Sequence, residues 1–424
     1  MKSPFAIDKV RARPIFDSRG IPTIEVEALS GSFIGRASAP AGVSKGRFEA
    51  HDLRDEEKAF GGMGVTKALK SVNSSIHSEL KDMNACAQAE VDKALIDLDG
   101  TPNKSKLGAN ATIATSMAVA RLGAQLQDKP LYEYIHSIIP QGKGKGVSLP
   151  MPFVNMLNGG KHAGNELPFQ EFLIEPQKAK SMAHALQMTS ELYQGLKALI
   201  HKKFDARATN VGETGGFAIP TNDVRVALDT ITEAAKELGY EKQIKIGLSI
   251  AGSHIRKKGV YYVEGKPLTH RQLVNYYANL VAQYPITLLE DPFAEDDIQG
   301  FQGLVSRLGN THAIVGDDLL VSSPTRIKRV MDLKACNGLD LKPNQVGTVS
   351  ESIEAFTLAR EAKWTVIVSD RAGETEDTFI ADLAVGIGAD YLKAGSMARS
   401  ELVAKYNRLM QIEEELGKKA VLKR

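Results

Sequence analysis

Cysteine is nearly missing from this chain: 424 residues hold two, Cys86 and Cys336, in separate regions with no second Cys or His at metal-ligand spacing. That excludes a disulfide framework and a zinc site, and leaves two reduced, small core residues. No stretch approaches the ~18 uninterrupted apolar residues of a membrane span, and the N-terminus has no apolar core of a secretory signal. A cytoplasmic protein with no membrane partner is the expectation. An excess of one charge is also absent, with Lys+Arg 53 against Asp+Glu 51. Without a basic surface, nucleic acid is not an expected partner. Short repeats, low-complexity tracts and blocks of like charge are missing too, so disorder is not expected.

What is present is an ordinary globular composition, 43% hydrophobic and 25% charged. The length suits a barrel of about 250 residues plus a smaller domain. Residues 1 to about 55 alternate as strands, with Ile24, Val26 and Ala28 on one face and Glu25 and Glu27 on the other. From about 57 to 136 the apolar spacing turns helical, as in AEVDKALIDLDG and ATIATSMAVARLGAQL. The expectation is a small N-terminal α+β domain, residues 1–138, capping a second domain, 139–424, with the Gly- and Pro-containing stretch Gly142–Pro152 at the junction.

The second domain repeats one unit: an apolar run, an abrupt polar residue, then a helix-like segment. The runs end at IGLS (Ser249), ITLLED (Glu290, Asp291), AIVGDD (Asp317, Asp318), LDLK (Lys342), VIVSDR (Asp370, Arg371) and YLK (Lys393). Right-handed repetition of βα units closes an eight-stranded parallel barrel, so the fold class is α/β with a (β/α)8 TIM-like barrel. THRQLVNYYANLVAQY, SPTRIKRVMDL and SESIEAFTLAREAKW are among the intervening helices, and ARSELVAKYNRLMQIEEELG closes the chain as a helix ending at Gly417.

Charged residues at the C-terminal ends of barrel strands converge on one mouth, where barrel enzymes carry their chemistry. Glu290 and Asp317 there offer hard oxygen ligands suited to Mg²⁺. Lys342 and Lys393 end later strands. A lysine beside a second cation and a divalent metal can lose its proton and act as a base, while its neighbour neutralises a substrate carboxylate. Arg371 presents a planar fork for phosphate. Gly-rich loops carry His162, followed by Gln170 and Glu171, and the pair Gly215–Gly216, whose amides could approach an anion; the loop Ala39–Gly46 suits a mobile lid. These parts describe metal-assisted proton abstraction α to a carboxylate on a small phosphorylated carboxylic acid.

The ordered stretches DSRGIPT, PAGVSKG, LGANA, NMLNGGKHAGN, QEF, VGETGGFA, EDPF, GDDL, LKPNQVGT, SDRAGETEDTFIADLAVG and ARSELVAKYNRL make the chain resemble the enolase (phosphopyruvate hydratase) family over essentially its whole length. The resemblance implies Lys342 as the α-proton base, Glu290 and Asp317 as ligands of Mg²⁺, and Ser44 on a loop that closes over substrate and completes a second metal site. It further implies that His162 and Glu171 line the site, that Arg371 contacts phosphate and Lys393 the carboxylate, and that the protein is a homodimer or higher homo-oligomer.

The chain departs from the family inside the site. Ser249 stands where the family has an aspartate ligand, and Thr214 where it uses a glutamate to assist departure of the hydroxyl. Glu213, the neighbouring acid, is the candidate replacement. Asp370 stands in place of a histidine and Ala372 in place of a serine. Three readings follow: dehydration of 2-phosphoglycerate to phosphoenolpyruvate with impaired or compensated substitutions, a lyase or isomerase for a different small carboxylate, and a catalytically inactive paralogue with a binding or regulatory role.

Overall fold

The computed structural model describes residues 4–43, 46–140 and 147–423. Three antiparallel strands open the chain: β1 (Lys9–Phe16), β2 (Pro22–Ser30) and β3 (Phe33–Ser38), in that order in the sheet. The alternation expected on β2 is there, with Ile24, Val26 and Ala28 wholly buried. Their face packs on the helix Ala109–Leu126, close enough that a Cβ on Gly35 would sit 2.0 Å from the Ala118 carbonyl oxygen. The opposite face is not simply solvated. Glu27 is 2% exposed and gathers Arg11 (2.6 Å), Arg13 (2.5 Å) and Arg36 (2.7 Å). Helices at Thr66–Ser71, Gln88–Asp99, Ala109–Leu126 and Leu131–Ser137 complete this part.

The second sheet uses β4 (Met151–Pro152), β5 (Val154–Asn158), β6 (Glu171–Glu175) and β7 (Lys245–Ser249). A small antiparallel flap follows, β8 (Arg256–Lys257), β9 (Val260–Val263) and β10 (Lys266–Leu268). Then come β11 (Ile286–Glu290), β12 (Ala313–Gly316), β13 (Gly338–Leu341), β14 (Thr365–Ser369) and β15 (Tyr391–Lys393). The barrel row runs β4-β15-β14-β13-β12-β11-β7-β6-β5. Only Phe153 separates β4 from β5, so the two ends of the row are one stave and the sheet closes on itself.

One expectation needs correction: the barrel is not all parallel. β6 pairs antiparallel with both β5 and β7, while the strands from β7 through β15 to β4 pair in parallel. An inverted stave brings Glu171 to the mouth at its first residue, opposite Ser249, which in turn faces Glu290.

The two-residue period of a strand decides what fills the barrel. Phe153, Leu173, Leu288, Val315 and Ile367 form a separate apolar cluster, with Ala313 and Tyr391 packed on it. Two positions further along their staves stand Asn155, Glu290, Asp317, Ser369 and Lys393, and two positions back along inverted β6 stands Glu171. The apolar floor and polar mouth are therefore successive layers of the same inward-facing rows. Gly247 has no side chain because a Cβ there would lie 1.9 Å from Phe153 Cζ.

The expected helices form at His270–Gln283, with a Thr269–Gln272 capping box, at Pro324–Leu333, at Val349–Glu361 and at Ser400–Leu416. The N-terminal part docks on the mouth through an Ala41–Gly373 bridge and a bond from the Ser38 amide to Asp377 (2.9 Å). Among the described residues, no helix is long and apolar enough to cross a membrane.

Candidate active site

One cleft at the barrel mouth is lined by Glu49, His162, Glu171, Thr214, Glu290, Asp317, Lys342, Asp370, Arg371 and Lys393, among others. Every strand-end charge singled out from the sequence as functional is thus in one place. Two lysines organise it. Lys342 Nζ lies 2.5 Å from Asp317 and 2.8 Å from Asp340, and Lys393 Nζ lies 2.6 Å from Glu290, 3.3 Å from Asp340 and 3.5 Å from Glu171. Burial alone would strip both lysines of their protons, but Asp317 and Asp340 hold Lys342 well above its ordinary range, and Asp340, Glu290 and Glu171 do the same for Lys393.

The carboxylates respond differently. Burial pushes Glu290 up to about 7, against the pull of Lys393 and with a further push from Asp340. Asp317 is held below its usual value because Lys342 and Lys393 outweigh burial. On its far side, burial and the Asp317 charge raise Asp318 to about 8, and burial with Asp318 and Asp317 drives Asp291 well above the carboxylate range. Asp291 nevertheless has a structural task, accepting the amides of Asp317 (2.9 Å) and Asp318 (2.7 Å) and so fixing that turn.

Two Gly-rich loops build the side around Glu171. The His162 carbonyl accepts the Glu213 amide (2.9 Å), and the loops press so close that a Cβ on Gly212 would meet that carbonyl at 2.3 Å. The Gly215 and Gly216 amides, considered for an anion, are instead used internally, donating to Gly212 O and to Asn158 Oδ1. Thr214 Oγ1 accepts from Asn155 (3.1 Å) and Asn158 (2.8 Å), which occupies its lone pairs and leaves its one proton for Glu171 or His162. Burial opposes charge on Glu171, yet Lys393, His162 (3.4 Å) and Thr214 together hold its carboxyl well below the usual range. Glu213, the expected replacement acid, is absent from the cleft lining, and its buried Oε2 has no hydrogen-bond partner among the described residues.

Across the mouth, Arg371 is gripped in a fork by Glu49 (3.0 and 3.1 Å) and by Asn344 Oδ1 (3.0 Å). Beside it Asp370 is 5% exposed. Its amide donates to the Lys393 carbonyl (2.9 Å), whereas its Oδ2 has no partner among the described residues. Ala372 lines the same wall. Ser44, expected at a second metal site, lies outside the described residues.

The donor set fits a hard divalent cation. Glu290, Asp317 and Asp340 can bring one oxygen each within 4.8 Å of one another, as can Asp291, Asp317 and Asp318. Asp340 Oδ1 is buried without a partner among the described residues, and burial together with like charges raises Asp291 and Asp318 above the carboxylate range, a congestion that a cation relieves. Ser249 brings no charge to this set. Its hydroxyl donates to Glu290 Oε1 at 2.7 Å.

Sequence reasoning missed Asp340 and Glu49. Asp340 was discoverable, since in LDLK it stands two residues before Lys342 and so on the same strand face. Glu49 arrives from a loop far away in the chain, and no local pattern marks it.

Residues 146–423 match the family model described as Enolase, C-terminal TIM barrel domain, and residues 7–135 match Enolase, N-terminal domain. Curated relatives named Enolase include one from Methanocaldococcus jannaschii, 47% identical over 98% of this chain and 97% of its own length. Others come from Methanosarcina acetivorans (45%, covering 98% and 96%) and Methanococcus aeolicus (45%, covering 98% and 97%).

Proposed function

The chain belongs to the enolase family, and from that premise we propose that it dehydrates 2-phosphoglycerate to phosphoenolpyruvate, with Mg²⁺ as cofactor. The observation that carries this reading is the pairing of two buried lysines with Glu290, Asp317 and Asp340 at one barrel mouth.

In this reading Glu290, Asp317 and Asp340 would hold the cation, and Ser44, outside the described residues, would complete a second metal site as its loop closes on substrate. The cation, when bound, supplies positive charge that competes with the lysines for these carboxylates and withdraws electrons from the substrate's own carboxylate. Lys342 is the base: burial and the neighbouring Lys393 favour its neutral form, and once its proton has passed to solvent the Nζ lone pair would remove the α-proton. Lys393 faces the substrate carboxylate. Arg371, held flat by Glu49 and Asn344, offers its guanidinium to phosphate. His162 and Glu171 line the part of the cleft where the hydroxyl departs, and the Asp370 carboxyl is close enough to feel the Glu171 charge. Cytoplasmic location and a homodimeric or higher assembly go with this reading.

The test is to follow phosphoenolpyruvate absorbance with purified protein, 2-phosphoglycerate and Mg²⁺, and α-proton exchange in D₂O. Lys342→Ala should lose both, by about 10²–10⁴-fold. Neither signal rising above that variant would defeat the reading.

A further inference from the structure

We propose that Asp370 donates the proton that leaves with the substrate's hydroxyl group, a role that rests on the dehydration proposed above. The other acids of the cleft are committed. Both oxygens of Glu49 receive Arg371, and Asp317 receives Lys342 and, at 2.8 Å, Gln345. Glu290 is held by Lys393 and Ser249, and Asp318 belongs with Asp291 and Asp317 to a set that could hold a cation. Glu171 faces His162 and Lys393 as an anion. Thr214 has only a hydroxyl, which cannot serve as an acid at neutral pH.

Asp370 lines the cleft and its buried Oδ2 has no partner among the described residues; Glu213 Oε2 and Asp340 Oδ1 share that condition, but neither residue lines the cleft and Asp340 belongs to the cation set, while the Asp370 backbone is fixed to the Lys393 carbonyl on the neighbouring stave. Its surroundings favour the neutral acid. Burial pushes its carboxyl well above the ordinary range, Glu171 and Glu374 push the same way, and Lys393 and Lys405 only partly offset them; Tyr406 also faces it. One cleft therefore holds a carboxyl pushed down, Glu171, facing one pushed up, Asp370, while the other raised carboxyls, Glu290 and Asp318, belong to the cation sets. Environments that push two carboxyls apart in this way mark an acid and its ionised partner.

The step balances. Lys342 Nζ takes the α-proton, and the C–H electron pair becomes the new C=C bond. The C–O bond breaks with its electrons on oxygen, and the Asp370 proton converts the departing hydroxide to water. The carboxylate left at 370 faces Lys393 and Lys405, and solvent restores both protonation states.

The experiment compares the full chain with Asp370→Asn, which keeps size and a hydrogen-bond donor but has no transferable proton. With 2-phosphoglycerate and Mg²⁺, D370N should lose dehydration by about 10²-fold or more and keep α-proton exchange within a few-fold. The infrared spectrum at neutral pH should show a buried carboxylic-acid carbonyl band that disappears in D370N. Dehydration by D370N at the wild-type rate, loss of exchange in parallel with dehydration, or no band difference would overturn the proposal while leaving the proposed function standing. Wild-type protein with neither exchange nor dehydration would overturn both.

Discussion

Replacing Ser249 by aspartate should make the protein less stable alone and a better Mg²⁺ binder. The wild-type hydroxyl donates to Glu290 Oε1 at 2.7 Å, so an aspartate there turns a donor into a second anion beside Glu290. Two such charges about 4 Å apart repel by roughly 4 kcal/mol at an effective dielectric of 20. Lys393, 2.6 Å from Glu290, offsets part of this, leaving a net cost of about 2–4 kcal/mol once the lost hydrogen bond is included. With an unfolding entropy of roughly 2.1 cal/mol/K per residue, the whole chain shifts about 1 °C per kcal/mol, so scanning calorimetry without divalent cation should show Tm falling by about 2–4 °C. Titration calorimetry with Mg²⁺ should show the opposite preference, with Kd tightened about tenfold or more, equivalent to at least ~1.4 kcal/mol. A variant more stable than wild type without cation, or one whose Mg²⁺ affinity is unchanged, would refute the placement of Ser249 at a metal site.

Two further predictions concern stability. Burial works against charge on Glu27, but Arg13, Arg11 and Arg36 bring its carboxyl down to about 2 from 4.5. The pKa is depressed on folding, so its contribution is complete above about pH 4.5 and disappears as pH falls towards 2. Its arginines are half exposed, which limits the contribution to about 1–2 kcal/mol; urea titrations of wild type and Glu27→Gln should differ by that much at pH 7 and converge near pH 2, and a constant difference would refute the linkage. Gly247→Ala should cost about 1–3 kcal/mol by overpacking Phe153, and adding Phe153→Leu should return much of it in the same denaturation assay. Simple additivity of the two losses would place the clash elsewhere.

The barrel and its mouth were largely legible because these staves end an apolar run in a polar or charged residue: Ser249, Glu290 and Lys393 are the last residues of their strands, and Asp317, Lys342 and Asp370 follow theirs directly. Strand direction was not legible. The run QEFLIEP reads the same whether its neighbours are parallel or antiparallel, so the inversion of β6 emerges only from its pairing with β5 and β7. Neither was the choice between Glu213 and Thr214, adjacent residues on one loop whose orientation is fixed by Asn155, Asn158 and the His162 carbonyl rather than by spacing. The burial of Asp370 among both carboxylates and lysines is likewise not written in the run VIVSDR, since Glu171, Glu374, Lys393 and Lys405 come from other parts of the chain.

Closure of the row through Phe153 sets a timetable for making this protein. Met151 pairs with Tyr391 and Pro152 with Leu392, so the first stave waits for a partner about 240 positions later in the chain. At roughly 5–20 residues per second on the ribosome, that wait is about 12–48 s. Through that interval the nascent sheet has an open edge, the kind of surface that invites pairing with other chains, and Pro152 lacks the amide such pairing would use. Lys393 ends the last stave to be made, so the Glu290 clamp, and with it the finished mouth, forms only after every other stave has been synthesised.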